Sequence, residues 1–275
     1  MSTMKRTAIA GVAGRMGRHL VAAAQRAGFE VTGGTEMPDA PDRETDIGVL
    51  AGLPDPLGIL PVTDPVEAAR DAHVWVDFTA PAATVGALQV LRHTSVTAIV
   101  IGTTGFSALE DGQINAAAAD FAIVKAGNFS LGINLLSALT RVAAARLGQD
   151  WDIDIGECHH RGKVDAPSGT ALMLGAAAAA GRGASLDALQ RPPYLGADAQ
   201  RRAGEIGFAV RRGGGVVGDH DVQFASAREV LALSHRALDR AVFADGALAA
   251  ADWALGQAPG LYDMEDVLGL KTLTV

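Results

Sequence analysis

Short apolar runs alternate with alanine-rich, helix-length stretches through the first half of the chain. "RTAIAGV" precedes "RMGRHLVAAAQRAG", and "FEVTGGTE" follows. Then "HVWVDFT" leads into "ATVGALQVLRH" and "VTAIVIGTTG" into "LEDGQINAAAAD", ahead of "FAIVKAGN". Uniformly apolar strands of this kind are buried on both faces, and helix-sized spacers between them predict βαβ units in a doubly wound parallel sheet, an α/β domain of Rossmann type. Residues 38–62 interrupt the alternation. Rich in Pro, Gly and Asp, they predict loop with a short helix around Ile47 to Leu50.

Beyond residue 130 the pattern changes. "LGINLLSALTRVAAARLG" predicts a long helix, and "SGTALMLGAAAAAG" another. Between them, "DWDIDIGEC" alternates Trp151, Ile153 and Ile155 with polar residues, predicting a strand that ends near Gly156. Three more β-like runs, "EIGFAVRR", "VVGDHDVQFA" and "EVLALSHRA", follow without helices between them, which predicts a mainly antiparallel sheet in an α+β domain. The tail from about 240 returns to helix and is expected to rejoin the first domain. The expected division is 1–129 with 240–275 for the discontinuous first domain and 130–239 for the second.

At 275 residues and 49% hydrophobic, the chain has enough apolar material for both cores. A net charge of -8 and the lack of a Lys/Arg run argue against a reader of the nucleic-acid backbone and favour a small-molecule partner. The single cysteine, Cys158, cannot form an intrachain disulfide, so the cytoplasm is the expected compartment. Lys5 and Arg6 precede an apolar run too short for a signal peptide, and "ALMLGAAAAAG" is about half a membrane span, so no membrane partner is expected.

Chemistry enters first in "AGVAGRMGRHL". Gly11, Gly14 and Gly17 fall between the first strand and the first helix, where glycines permit a tight turn and let a pyrophosphate approach the amides of a helix N-terminus. Val12 stands where G-x-G-x-x-G has its first glycine. Glu36, about 20 residues on at the end of the second strand, can accept from an adenosine ribose. The segments "IGTTG", 101–105, and "KAGNFS", 125–130, lie where strand C-termini form the ligand crevice of an open sheet. Small residues there admit a flat nicotinamide, and Asn128 can hydrogen-bond its carboxamide.

The second concentration of chemistry is "ECHHRGKVDAPSGTA". His159 and His160, past the predicted strand end, point apart and take different jobs. Adjacent histidines without a second spaced ligand pair do not suit zinc, Cys158 alone reads as a small buried residue, and Ser168 lacks the G-x-S-x-G elbow. No metal and no covalent nucleophile are expected. The chain has four lysines against nineteen arginines, and only lysine can release a proton, so Lys163 beside two histidines points to proton transfer. Ser168 is a natural N-cap that leaves the amides of Gly169 and Thr170 outward for an anion such as a carboxylate. The set suits an anionic substrate that is protonated as it receives an electron pair.

In these segments, together with "VDFT", "IGTTGF", "GNFSLGIN", "GEIGFAVRRGGGVVGDH" and "LYDMEDVLGL", the chain resembles the 4-hydroxy-tetrahydrodipicolinate reductases, also called dihydrodipicolinate reductases, of bacterial lysine and diaminopimelate biosynthesis. The resemblance implies an oxidoreductase whose first domain binds NADH or NADPH and whose second binds substrate and builds a homotetramer. It implies His159 as catalytic acid/base and Lys163 as proton donor, with His160, Ser168, Gly169 and Thr170 holding a dicarboxylate. It places the cofactor along Gly11, Val12, Ala13, Gly14, Arg15, Met16 and Gly17, Glu36, Gly102, Thr103 and Thr104, and Ala126, Gly127, Asn128 and Phe129. The family often has alanine at Gly127, and some members have arginine at Met37. With Glu36 followed by Met37, NADH is expected to serve at least as well as NADPH. Two alternatives share parts of the pattern. Another two-domain NAD(P)-dependent dehydrogenase of amino-acid metabolism would lack "HHRGKVDAPSGT", and a non-catalytic dinucleotide sensor would not need it.

Overall fold

The computed structural model describes residues 4–193, 195, 197 and 199–273. The chain forms two compact units, one running to Ser130 and resuming over Ala241–Val267, the other comprising Leu131–Arg240 and the segment from Leu268. The first unit begins with β1 (Lys5–Ala10), α1 (Arg15–Arg26), β2 (Phe29–Thr35), α2 (Ile47–Leu50) and α3 (Pro65–Ala68). It continues with β3 (Val74–Asp77), α4 (Pro81–Leu91), β4 (Ala98–Ile101), α5 (Ala108–Ala117) and β5 (Ala122–Lys125). The second unit contains α6 (Leu131–Arg146), β6 (Asp152–His159), α7 (Gly169–Gly181), α8 (Leu186–Leu189), β7 (Ile206–Arg212), β8 (Gly218–Ala225) and β9 (Val230–Ala237). The chain then returns to the first unit with α9 (Ala241–Ala254), β10 (Gly260–Tyr262) and α10 (Met264–Val267).

The first sheet has the order β10-β5-β4-β3-β1-β2 and is parallel throughout. Its central strands β3, β4 and β5 are buried on both faces because both are covered. Ile9, Val31, Val76, Val100 and Val124 pack with Leu20 and Val21 of α1 and Leu248 of α9. On the other face Ala8, Trp75, Ile99 and Ile123 pack with Leu88 and Leu91 of α4 and Ile114 of α5. The chain reverses direction across the sheet between β1 and β3, so the carboxyl ends of these strands frame a crevice, the usual ligand position of such sheets.

The second sheet has the order β7-β6-β8-β9. β8 is antiparallel to both β6 and β9, whereas β7 runs parallel to β6. The parallel pair is possible because α7 and α8 lie in the connection, giving the chain length to cross back. The inner face carries Ile153, Ile155, Val222 and Phe224 against Ile133 and Leu136 of α6 and Leu174 and Ala178 of α7.

Three details depart from the sequence expectation. β6 does not end near Gly156 but continues to His159, because β7 pairs with it as far as His159–Arg212 and β8 as far as Cys158–Asp219. β10 is not expected from the sequence. Its three residues carry no periodicity and become a strand only through pairing with β5. The segment from Leu268 clusters with the second unit, although the whole tail from 240 was expected in the first.

Candidate active site

The crevice of the first unit is shaped by backbone and by the absence of side chains. Gly11 has φ +64, a conformation that favours glycine. A Cβ on Gly17 would lie 2.1 Å from the Gly11 carbonyl oxygen, so α1 approaches the loop only because position 17 has no side chain. Gly14 is the N-cap of α1 and supplies no side-chain cap, leaving the first-turn amides beside a turn with room for an anion. The Glu36 carboxylate accepts from the amides of Ala13 (3.0 Å) and Met37 (2.9 Å), which fixes it at the lip of this loop. Val12 is wholly buried, and its amide donates to the Thr35 carbonyl (3.0 Å), so it ties the loop to the end of β2 rather than facing a ligand. Arg15 is exposed, and Met16 packs against the core.

Neighbouring strand ends complete the crevice. Asp77, buried and pushed up by desolvation, accepts from the Thr79 amide (3.0 Å), the Thr79 hydroxyl (2.6 Å) and Thr103 (3.2 Å). Thr103 is therefore turned inward, tying the end of β4 to that of β3. Gly102 leaves space for the Phe78 ring, which a Cβ would approach to 2.1 Å. Thr103, Thr104, Ala126 and Gly127 border a cleft with Phe106, Asp111 and Lys125. Asn128 Oδ1 accepts from the Ser130 amide (2.8 Å), and Phe129 is buried with its ring 5.3 Å from that of Phe78. The residues fit a dinucleotide in shape and in donor set: an uncapped helix start, an acid at the second strand end and side-chain-free strand termini.

In the second unit the chemistry sits on the inner face of the sheet. The period-two alternation that buries Ile153 and Ile155 also buries Glu157 and His159, and the one that buries Val222 and Phe224 buries Gly218 and His220. The apolar face thus turns polar at one end. Glu157 Oε2 lies 2.5 Å from His159 Nδ1, while Oε1 accepts from the Ser168 amide (2.8 Å) and from Arg212 (3.3 Å). Burial raises the Glu157 carboxyl, but these donors outweigh it and hold the group below the usual carboxylate range. His159 is lowered, by burial first and by the Lys163 and Arg212 charges, against the opposing pull of Glu157. Its ring meets His220 edge-on at 5.0 Å, and burial pushes His220 down to about 4.

Beyond this buried corner the loop carries the rest. The Nε2 of His160, one residue on, accepts from Arg240 (3.2 Å), since a guanidinium has only donors. Lys163 pairs with Asp165 (2.8 Å), whose carboxyl that lysine lowers. Ser168 caps α7 by accepting from the Ala171 amide (3.1 Å), and nothing lies within 4 Å of where a Cβ on Gly169 would project. The space beside Gly169 is thus open, while its amide is engaged by the Asp165 carboxylate. The sequence reading missed Glu157, Arg212, Gly218 and His220. Glu157 and His220 were legible as polar residues in register with apolar ones, but the partnership between β6 and β8 was not.

Glu157, His159 and His220 also form a group of possible metal ligands, each offering an atom within 4.8 Å of the others. The set is poorly suited to a cation, because Arg212 and the Ser168 amide already serve one Glu157 oxygen and Lys163 adds positive charge.

Comparison with known proteins agrees with this anatomy. The family model described as dihydrodipicolinate reductase, N-terminus, matches residues 5–129, and the one described as dihydrodipicolinate reductase, C-terminus, matches 132–268. The 4-hydroxy-tetrahydrodipicolinate reductase of Parvibaculum lavamentivorans is 49% identical over 264 residues, covering 96% of this chain and 97% of its own. That of Roseobacter denitrificans is 50% identical over 273 residues, covering 98% and 99%. Among solved structures, the dipicolinate-bound dihydrodipicolinate reductase of a Paenisporosarcina species shares the fold at a TM-score of 0.74 and 23% identity, covering 95% of this chain and 98% of its own. An amine dehydrogenase of Mycobacterium smegmatis also shares it, at a TM-score of 0.61 and 14% identity over 96% of each chain, so the fold alone does not select a reaction. Matches to both halves and near-half identity over almost the full length do select one lineage: the chain belongs to the dihydrodipicolinate reductase family.

Proposed function

We propose that the protein reduces 4-hydroxy-tetrahydrodipicolinate to tetrahydrodipicolinate, with loss of water, in lysine and diaminopimelate biosynthesis. The observation that carries this reading is the juxtaposition of buried His159, Lys163 and the Ser168-capped start of α7 in one unit of a chain whose relatives bear that activity. Net addition to the dehydrated ring is one hydride and one proton. The reduced nicotinamide, held along Gly11 to Gly17, Glu36, Gly102 to Thr104 and Ala126 to Phe129, supplies the hydride.

The chain's own residues handle charge and protons. Gly169 and Thr170, with Ser168 shaping the turn and His160 alongside, bind the dicarboxylate. Lys163 carries the proton and places a cation beside the ring nitrogen as hydride addition pushes charge toward it. His159, lowered below its ordinary value, is neutral near neutral pH and acts as the acid/base that relays a proton rather than as the resting store.

Glu36 at the lip of the glycine loop and exposed Met37 beside it favour NADH at least as much as NADPH, since an acid there accepts from a 2′-hydroxyl and repels a 2′-phosphate. A homotetramer is in keeping with the second sheet, whose strands β7 and β9 leave Val210, Val230 and Leu231 exposed. Among the described residues no helix is long and apolar enough to cross a membrane, which is compatible with work in the cytoplasm.

The test is oxidation of NADH or NADPH by the purified protein while a synthase generates the substrate. Turnover that dipicolinate, a planar dicarboxylate, inhibits competitively against substrate is the expected result. No substrate-dependent oxidation with either coenzyme overturns the reading.

A further inference from the structure

Glu157 has no place in the reaction outlined above, yet it is the most thoroughly enclosed acid of its unit, with a side chain wholly out of solvent. Its two oxygens are divided. One is anchored by the Ser168 amide and Arg212, and the other is turned to His159 Nδ1 at 2.5 Å. The contact is an ion pair by distance, without the alignment of a hydrogen bond, yet two lone pairs facing each other at that separation would repel, so the carboxylate favours the proton on Nδ1. Arg212 is itself held by donating to the Asp165 carbonyl (2.6 Å), and its strand β7 pairs Arg212 with His159, so the anchor is part of the sheet. On the other side of the imidazole, Nε2 lies over Gly218, where a Cβ would come within 3.2 Å.

We propose that Glu157 is a positioning residue for the proton relay: its carboxylate takes the Nδ1 proton of His159, fixes that tautomer, and leaves Nε2 over Gly218 as the atom that exchanges protons. This rests on the reading of His159 as the acid/base group. The charged and titratable groups facing His159 are Glu157 on β6, Lys163 on the following loop, Arg212 on β7 and His220 on β8, with Asp219 and His235 acting on His220 in turn. Burial, Lys163 and Arg212 favour a neutral imidazole. A neutral imidazole has two tautomers, and the partner of one nitrogen decides which is present. His220 is not that partner. Ser168 Oγ accepts from the Ala171 amide, so its hydroxyl proton is free to go to His220 Nε2 (3.2 Å), and His220 meets His159 only ring edge to ring. The same polar corner therefore couples the helix cap that frames the dicarboxylate site to the acid/base group: the Ser168 amide and His159 Nδ1 share one carboxylate.

The experiment uses the full chain labelled with ¹⁵N-histidine, the His159 signals being identified by their loss in His159→Gln. Long-range ¹H–¹⁵N correlation on the wild type at neutral pH is expected to show His159 protonated at Nδ1 and bare at Nε2. Protonation at Nε2 overturns the proposal without any variant. Glu157→Gln, whose amide can donate to Nδ1, is expected to reverse the tautomer and lower kcat by about 10²-fold or more, with coenzyme Kd unchanged. Glu157→Asp, which keeps the charge on a shorter arm, is expected to retain the wild-type tautomer and recover at least about tenfold of the lost kcat. Because Glu157 raises His159, any activity left in Glu157→Gln has its acidic inflection at lower pH than the wild type. Should Glu157→Gln not fold, the wild-type tautomer together with Glu157→Asp decides. Equal losses in both variants with an unchanged tautomer overturn the proposal. Failure of the reductase reading is distinguishable: the wild type is then inactive in the coupled assay, whereas failure of the Glu157 inference alone leaves it active.

Discussion

The two sites are built by opposite means. In the first unit the crevice is defined by what is missing: Gly17 lets α1 press on the loop, Gly102 admits the Phe78 ring, and Gly11 takes a turn that a side chain would strain. In the second unit the corner around Glu157, His159 and His220 is defined by what is present, polar side chains placed on a buried face by three adjacent strands. A site of the first kind fails when atoms are added, through steric overlap. One of the second kind fails when atoms or charges are taken away, because a buried partner is left unsatisfied.

The largest effect follows from removing the proposed acid/base group, His159. His159→Gln is expected to lower kcat by about 10²-fold or more while coenzyme Kd stays near wild type, since His159 and the glycine loop belong to separate units. Steady-state rates and direct coenzyme titration check the two halves separately. A matching loss of coenzyme affinity would break the division of labour.

The polar corner should also answer to acid. His220 titrates at about 4 in the folded protein against an ordinary 6.5, so as pH falls the unfolded chain takes up its proton first. Stability is then lost between about pH 6.5 and 4, on the order of 3 kcal/mol, and the loss saturates below that range. His159 and His235 are lowered as well and add in the same sense. Asp77 in the first unit is raised and acts oppositely, binding its proton more readily when folded. Urea midpoints across this range should show the slope, and His220→Gln should flatten it in part. An unchanged slope in that variant would remove His220 from the account.

Adding a methyl tests the first unit. Gly17→Ala puts a Cβ 2.1 Å from the Gly11 carbonyl oxygen and 2.7 Å from Val12 Cα, both backbone atoms that cannot yield cheaply. It should cost roughly 1–3 kcal/mol of stability and weaken coenzyme binding at least about tenfold. Gly127→Ala is the contrast. Nothing lies within 4 Å of its Cβ position, so thermal unfolding and coenzyme Kd should barely move. Equal damage from both would show that crowding does not define the crevice.

The smallest effect concerns the coenzyme phosphate. Met37 is 63% exposed beside Glu36, while Arg43 is spent on the Pro38 carbonyl and Arg18 on Asp42. Met37→Arg is expected to shift kcat/KM toward NADPH by about fivefold, the scale of an exposed pair at about 1 kcal/mol. A wild-type preference for NADPH of a hundredfold or more would mean that Glu36 does not govern the choice.

The sequence by itself determined the elements that carry their own periodicity or steric signature. The apolar runs of β1 and β3–β5 read as buried parallel strands, "DWDIDIGEC" as an alternating one, Ile47–Leu50 as the one helical turn of an irregular loop, and Gly11–Gly17 as a glycine turn between strand and helix with Glu36 beyond it. These are local properties, fixed by spacing along the chain. Tertiary structure alone decided what depends on pairing. β10 exists because β5 offers it an edge, and β6 runs on to His159 because β7 and β8 hydrogen-bond it that far. Glu157 meets Arg212 and Ser168, and His159 meets His220, only when that register forms. A side chain's identity is written in the sequence, but whether its charge is buried, and against which partner, is set by strands tens of residues apart. That is why the glycine loop could be read from the chain and the Glu157 corner could not.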